Sequence, residues 1–162
     1  MKINDEKNMP PDTLSDFVCL DSQRAIDDFL EATQWLHDSC IQSFFVSNPM
    51  YVSSTGNMVF PKKNFPGESN LTALFQSQFL EGCAIEFKLV GIDYLKCLGV
   101  RKNNDGIVLG AKISLGASDE ITLICNPDED GFFEVKARTA FWRLRRDLVD
   151  SLSFSIQPSL PT

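Results

Sequence analysis

The chain has one histidine, His37, among 162 residues, and that scarcity excludes more chemistry than any other feature. Ordinary zinc sites and two-histidine iron sites need more imidazole than this chain holds. A Ser-His-Asp or Cys-His nucleophile would have to use His37. Its neighbour Asp38 is not expected to orient it, because adjacent residues on a helix or strand point apart. No G-x-S-x-G, G-x-x-x-x-G-K-[ST] or G-x-G-x-x-G segment occurs, which removes the nucleophile elbow and the common phosphate cradles. The five cysteines, Cys19, Cys40, Cys83, Cys97 and Cys125, are never closer than 14 residues. An odd, widely spaced set without CxxC reads as reduced core cysteine, not as a disulfide framework. No apolar run approaches the ~20 residues that span a bilayer, and no apolar stretch follows Met1–Lys7 to make a secretory signal. These absences predict a cytoplasmic protein that is not an enzyme, holds no cofactor or metal, and does not enter a membrane.

What the sequence does hold is phenylalanine, 13 residues in a chain that is 43% hydrophobic. That suits one globular core. Net charge is −7, and residues 1–38 hold three cations against nine anions. From Lys136 to Arg146 there are five cations and no anion. The acidic balance disfavours nucleic acid. It allows a basic protein partner at the N-terminal quarter. The cationic group Arg138, Arg143, Arg145 and Arg146 is expected to pair with the acidic helix or to stay solvated.

Residues 1–20, with Pro10-Pro11, read as a flexible N-terminal arm whose Phe17, Val18 and Leu20 dock on the body. A single domain is expected over 21–152, followed by a tail over 153–162. Asp21-Ser22 offers the N-cap of an amphipathic helix over 22–36, with Ile26, Phe29, Leu30, Thr33 and Leu36 inward and Asp27, Asp28 and Glu31 outward. A strand follows at Ile41–Val46, stopped by Asn48-Pro49. Tyr51-Val52 and Met58–Phe60 flank a Gly56-Asn57 turn. Leu71, Leu74, Phe75 and Phe79 fit one face of a short middle helix. A meander of strands runs from Cys83 to Trp142, with a bend at Gly91 and turns at Asn103–Gly106 and Asn126–Gly131. Asn126-x-Asp128-x-Asp130-Gly131 matches the opening of a calcium loop, but its twelfth position is Ala137 and its flanks read as strands, so it is a hairpin turn. Phe141, Leu144, Leu148 and Leu152 fit a short C-terminal helix. The predicted fold is α+β: an antiparallel sheet of about five to six strands in a meander, covered by these three helices.

The segment Trp35-Leu36-His37-Asp38-Ser39 lies where helical spacing gives way to a strand. Read from the residues, His37 bonds backbone at that junction and Asp38 caps or turns the chain. Trp35-x-His37-Asp38-Ser39-x-Ile41 also resembles a pattern of small bacterial immunity-protein domains, the antidotes of polymorphic toxins. Ile85–Ile92 resembles a later strand of that pattern, and Asn104–Ile107 its turn. The likeness covers residues 35–47 and 83–139.

That resemblance implies a small cytosolic domain that binds and neutralises a basic toxin or a secreted effector. The acidic face Asp27, Asp28 and Glu31 is then the expected contact surface, with Trp35, His37 and Asp38 structural. Two alternatives stay open. An acidic adaptor resembling the secretion chaperones would act as a homodimer rather than a monomer. A ligand-binding or enzymatic domain would carry a pocket in the sheet.

Overall fold

The computed structural model describes residues 16–59, 68–80, 84–97, 107–129 and 133–148. The turn expected at Asn103–Gly106 and the tail at 153–162 lie outside them. Ser22 starts helix α1 (Gln23–Ala32) by accepting a hydrogen bond from the Ala25 amide at 3.2 Å. Ile26 and Phe29 are fully buried, while Asp27, Asp28 and Glu31 face solvent. The strands, in chain order, are β1 (Val18–Cys19), β2 (Ser39–Ser47), β3 (Tyr51–Val52), β4 (Met58–Val59), β5 (Asn70–Ser77), β6 (Ala84–Cys97), β7 (Ile107–Val108), β8 (Ala111–Leu115), β9 (Ile121–Cys125) and β10 (Phe133–Arg145).

Eight of these strands form one antiparallel sheet in the order β7-β2-β5-β6-β10-β9-β8, with β1 on the free edge of β10. β3 and β4 pair separately around Gly56, whose φ is +78°. The expectation of five to six strands in a meander is thus corrected. β7 and β8 lie at opposite ends of the strand order, yet only Leu109 and Gly110 separate them in the chain. The three Cα–Cα steps from Val108 to Ala111 span at most about 11 Å, so the sheet must roll until its ends come together. The core is the inside of that roll, and α1 closes over it with the Phe29 ring 5.4 Å from Phe87 and 4.9 Å from Trp142.

Two stretches expected to be helical are strands, while Leu152 of the expected C-terminal helix lies outside the described residues. Residues 71–79 fit helical spacing in the sequence, but Asn70–Ser77 is β5, a central strand with no exposed residue on either face. Leu71, Ala73 and Phe75 enter the core, and Leu74 is covered on the other face, where it pairs with Glu86. Burial on both faces erases the period-2 signal and leaves a run that mimics a helix. Phe141–Arg145, expected in a C-terminal helix, continues β10. Its buried positions are Phe133, Val135 and Ala137, then Ala140, with Trp142 and Leu144 packed on the core. The inward face thus changes phase near Arg138, opposite Gly91, where the chain needs φ +71°. A Cβ on Gly91 would meet the Arg138 Cβ at 3.2 Å, so the bend expected there is real and needs glycine. The next residue pairings skip Asp93, a β-bulge that re-aims β6.

The arm docks as expected at Leu20, which is buried and donates its amide to the Ala140 carbonyl at 2.9 Å. Val18 instead stays exposed. Among the described residues no helix is long and apolar enough to cross a membrane.

Candidate functional site

Helix α1 stops short of the expected residue 36. Thr33 is fully buried, and its hydroxyl and amide both donate to the Phe29 carbonyl, at 2.8 and 2.9 Å. Gln34, Trp35 and Leu36 then take φ of 50°, 54° and 54°, and Asp38 takes 50°. This is a turn of left-handed backbone without glycine, costing about 1–2 kcal/mol per ordinary residue. Its cause is packing at both ends. Thr33 and Leu36 are fully buried and Ser39 nearly so, so the chain must reverse from helix to β2 within a few residues. Burying Leu36 forces Trp35 outward, where it is 55% exposed.

Three other loops meet this turn. Phe79, after β5, is 49% exposed and its ring lies 6.3 Å from that of His37. Gln78 donates its amide to the Asp38 carbonyl at 3.3 Å. Leu109 and Gly110 form the link between β7 and β8, and Asn126-Pro127-Asp128 follows β9. Asn126 is nearly buried and fixes the link. Its Oδ1 accepts from the Leu109 amide at 2.7 Å, its Nδ2 donates to the Ile107 carbonyl at 2.9 Å, and its amide donates to the Gly110 carbonyl at 2.8 Å. Its φ of 54° suits asparagine. Together these loops enclose a cleft of about 570 Å³, with Trp35, Phe79, Leu109 and Pro127 as apolar walls and Gln34, His37 and Asp128 as polar ones.

His37 Nδ1 lies 3.1 Å from Asp38 Oδ2, so the expectation that these neighbours point apart is overturned. That expectation holds for a helix or a strand. Here His37 is extended (φ −62°, ψ 140°) and Asp38 left-handed, which turns both side chains to one side. Of the expected site residues, Trp35 and His37 line the cleft, and Asp38 backs it. Asp27, Asp28 and Glu31 are exposed on α1 and do not line it. Asp27 accepts from Gln23 at 2.8 Å, and Asp28 lies 3.9 Å from Arg24. Phe79, Leu109, Asn126 and Asp128 were not expected in a site. In the sequence Phe79 fits a helix face, and Asn126 and Asp128 fit a hairpin turn that resembles the opening of a calcium loop.

The cationic run has partners of its own. Glu86 Oε2, on β6, accepts from Arg143 Nε and from Arg145 Nη1, each at 2.8 Å, and lies 2.7 Å from Arg143 Nη2 as an ion pair. Arg145 also grips Asp147 through Nε and Nη2 at 2.9 and 2.8 Å. That contact holds the Asp147 carboxyl below its usual range and raises Arg145 further. Arg138 pairs with Glu68 through both terminal guanidinium nitrogens, and Lys136 lies 3.1 Å from Glu120. The Phe17 ring lies 4.4 Å from the guanidinium carbon of Arg143 and 5.8 Å from Lys88 Nζ. The expected pairing of this run with the acidic helix gives way to pairing with acids on and beside the sheet.

No family model, curated protein or solved structure matches this chain.

Proposed function

We propose that this is a small acidic protein-binding domain of the immunity type, which neutralises a basic protein by seating part of it in the Trp35 cleft. One observation carries the reading: a tryptophan more than half exposed, held outward by a left-handed turn at the lip of an aromatic cleft. Left-handed backbone in ordinary residues is costly, and such strain gathers at ligand clamps and switch regions. Exposed tryptophan beside other apolar side chains is the usual material of interaction hot spots. The exposed acids Asp27, Asp28 and Glu31 stand on the helix that leads into the turn. Their charge speeds encounter with a basic partner rather than holding it.

The test is co-expression with the product of the adjacent gene. Recovery of a complex and protection of cells from that product support the reading. Trp35→Ala should then weaken the complex by about 2–4 kcal/mol, and Asp27→Lys with Asp28→Lys should slow association while leaving dissociation nearly unchanged. No complex and no protection, or full affinity in Trp35→Ala, would sink it. A second reading has one observation in its favour: about 570 Å³ falls among the volumes of small-molecule sites. A ligand-binding domain would bind a metabolite in the cleft without any protein partner.

A further inference from the structure

Resting on the protein-binding reading above, we infer that the cleft receives a guanidinium group, the side chain of an arginine on the bound protein. The walls alone would accept any apolar group. The charges decide. Among the described residues, Asp128 is the one carboxylate of the lining and no lysine or arginine lines the cleft, and the Asp38 carboxylate lies 3.1 Å from His37. The whole chain carries −7. An anionic ligand would meet Asp128 with no described lysine or arginine of the lining to offset it.

Asn126 narrows the choice further. Its side-chain oxygen and nitrogen both bond the backbone of Ile107–Leu109, so it is structural and offers a ligand little. The remaining polar side chains of the described lining are the Asp128 carboxylate, Gln34 and His37. A neutral apolar side chain would cover that carboxylate and give it nothing in return. A guanidinium has a flat face for Trp35 or Phe79, N–H donors for Asp128 and an apolar stem for Leu109 and Pro127. It is also less strongly hydrated than an ammonium, which makes arginine a better occupant than lysine. The chain already builds this combination within itself. Phe17 lies over the Arg143 guanidinium at 4.4 Å while Glu86 meets its edge at 2.7 and 2.8 Å.

The experiment follows the indole N–H signals of isotope-labelled full-length protein. The chain has two tryptophans, and Trp142→Phe assigns the Trp35 signal. Acetylated and amidated Gly-Arg-Gly is titrated at low salt, beside the same peptide with citrulline, norleucine or lysine. Citrulline keeps the shape of arginine and lacks its charge. The arginine peptide should move the Trp35 signal saturably, with citrulline and norleucine each at least about tenfold weaker and lysine in between. Asp128→Asn should weaken the arginine peptide about fivefold and leave citrulline unchanged, with the rest of the spectrum reporting an intact fold.

Citrulline or norleucine binding as well as arginine would overturn the inference, as would no binding by any peptide. These failures are distinct from failure of the protein-binding reading. If no arginine peptide binds but Trp35→Ala still breaks the partner complex, only the guanidinium assignment falls. If arginine binds and the complex ignores Trp35→Ala, the partner reading falls and the site stands.

Discussion

The left-handed turn predicts that glycine at position 34 does the opposite of what glycine does elsewhere on this surface. Gln34 has φ 50° and an exposed side chain, so its replacement removes no buried area. Left-handed backbone costs an ordinary residue about 1–2 kcal/mol. Glycine escapes that cost but loses about 0.5–1 kcal/mol through the greater freedom of its unfolded chain. Gln34→Gly should therefore be neutral to stabilising, by roughly 0–1.5 kcal/mol. Arg24→Gly is the control, at a residue of α1 whose side chain is 91% exposed and whose ion pair with Asp28 is long, at 3.9 Å. It should lose about 0.5–1 kcal/mol. The two variants should differ by roughly 1–2 kcal/mol, which for a chain of this size separates their melting temperatures by about 2–8 °C. Thermal melts followed by circular dichroism measure this directly. Equal losses in both variants would refute the left-handed turn, and with it the reason Trp35 faces outward.

Other outcomes follow from burial and charge. Glu86→Ala removes the acceptor of two guanidinium hydrogen bonds and the anion of a buried pair that is 6% and 9% exposed, and should cost about 3–5 kcal/mol in urea denaturation. A loss below about 1 kcal/mol would mean that water reaches the pair. Burial pushes the Cys125 thiol up to about 12, and Cys97 is exposed. Maleimide at pH 8 should label Cys97 in the native protein and Cys125 only on unfolding; equal rates at both would contradict the packing of β9. Asp147 and Glu120 are held below their usual values of 3.8 and 4.5, by hydrogen bonds from Arg145 and Lys136. Their contribution is complete above those values and is lost as pH falls through the lower folded ones. Stability should drop on acidification below about pH 4, and Asp147→Asn with Glu120→Gln should flatten that drop in denaturation curves taken at several pH values.

Local signals carried much of this fold. Ser22 and the spacing of Ile26 and Phe29 mark α1 because one buried face and one solvated face leave a clear period. Ile121–Cys125 was legible for the same reason. β5 was not, since a strand covered on both faces has no alternation to read. β10 was legible to Phe141 and then misread, because its inward face changes phase near Arg138 and the shifted apolar residues imitate a helical repeat. The site was half legible. Trp35–Ser39 stood out as a junction, but its handedness depends on where Thr33, Leu36 and Ser39 are buried, and no local pattern records that. Phe79, Leu109 and Asp128 reach the cleft only because the sheet rolls shut, a consequence of long-range pairing.

β10 carries a consequence for how the protein comes to exist. It pairs with β6 along its whole length and with β9 and β1 on its other edge. It is also the last described strand that the ribosome makes. Until it emerges, the N-terminal strand has no edge to join, and β6 and β9 each lack the neighbour on one side. Folding during synthesis can therefore yield only fragments, and the domain should assemble in one step after residue 145 is free. Chains stalled before that point would leave sticky edges open, making this protein dependent on prompt completion of its own translation.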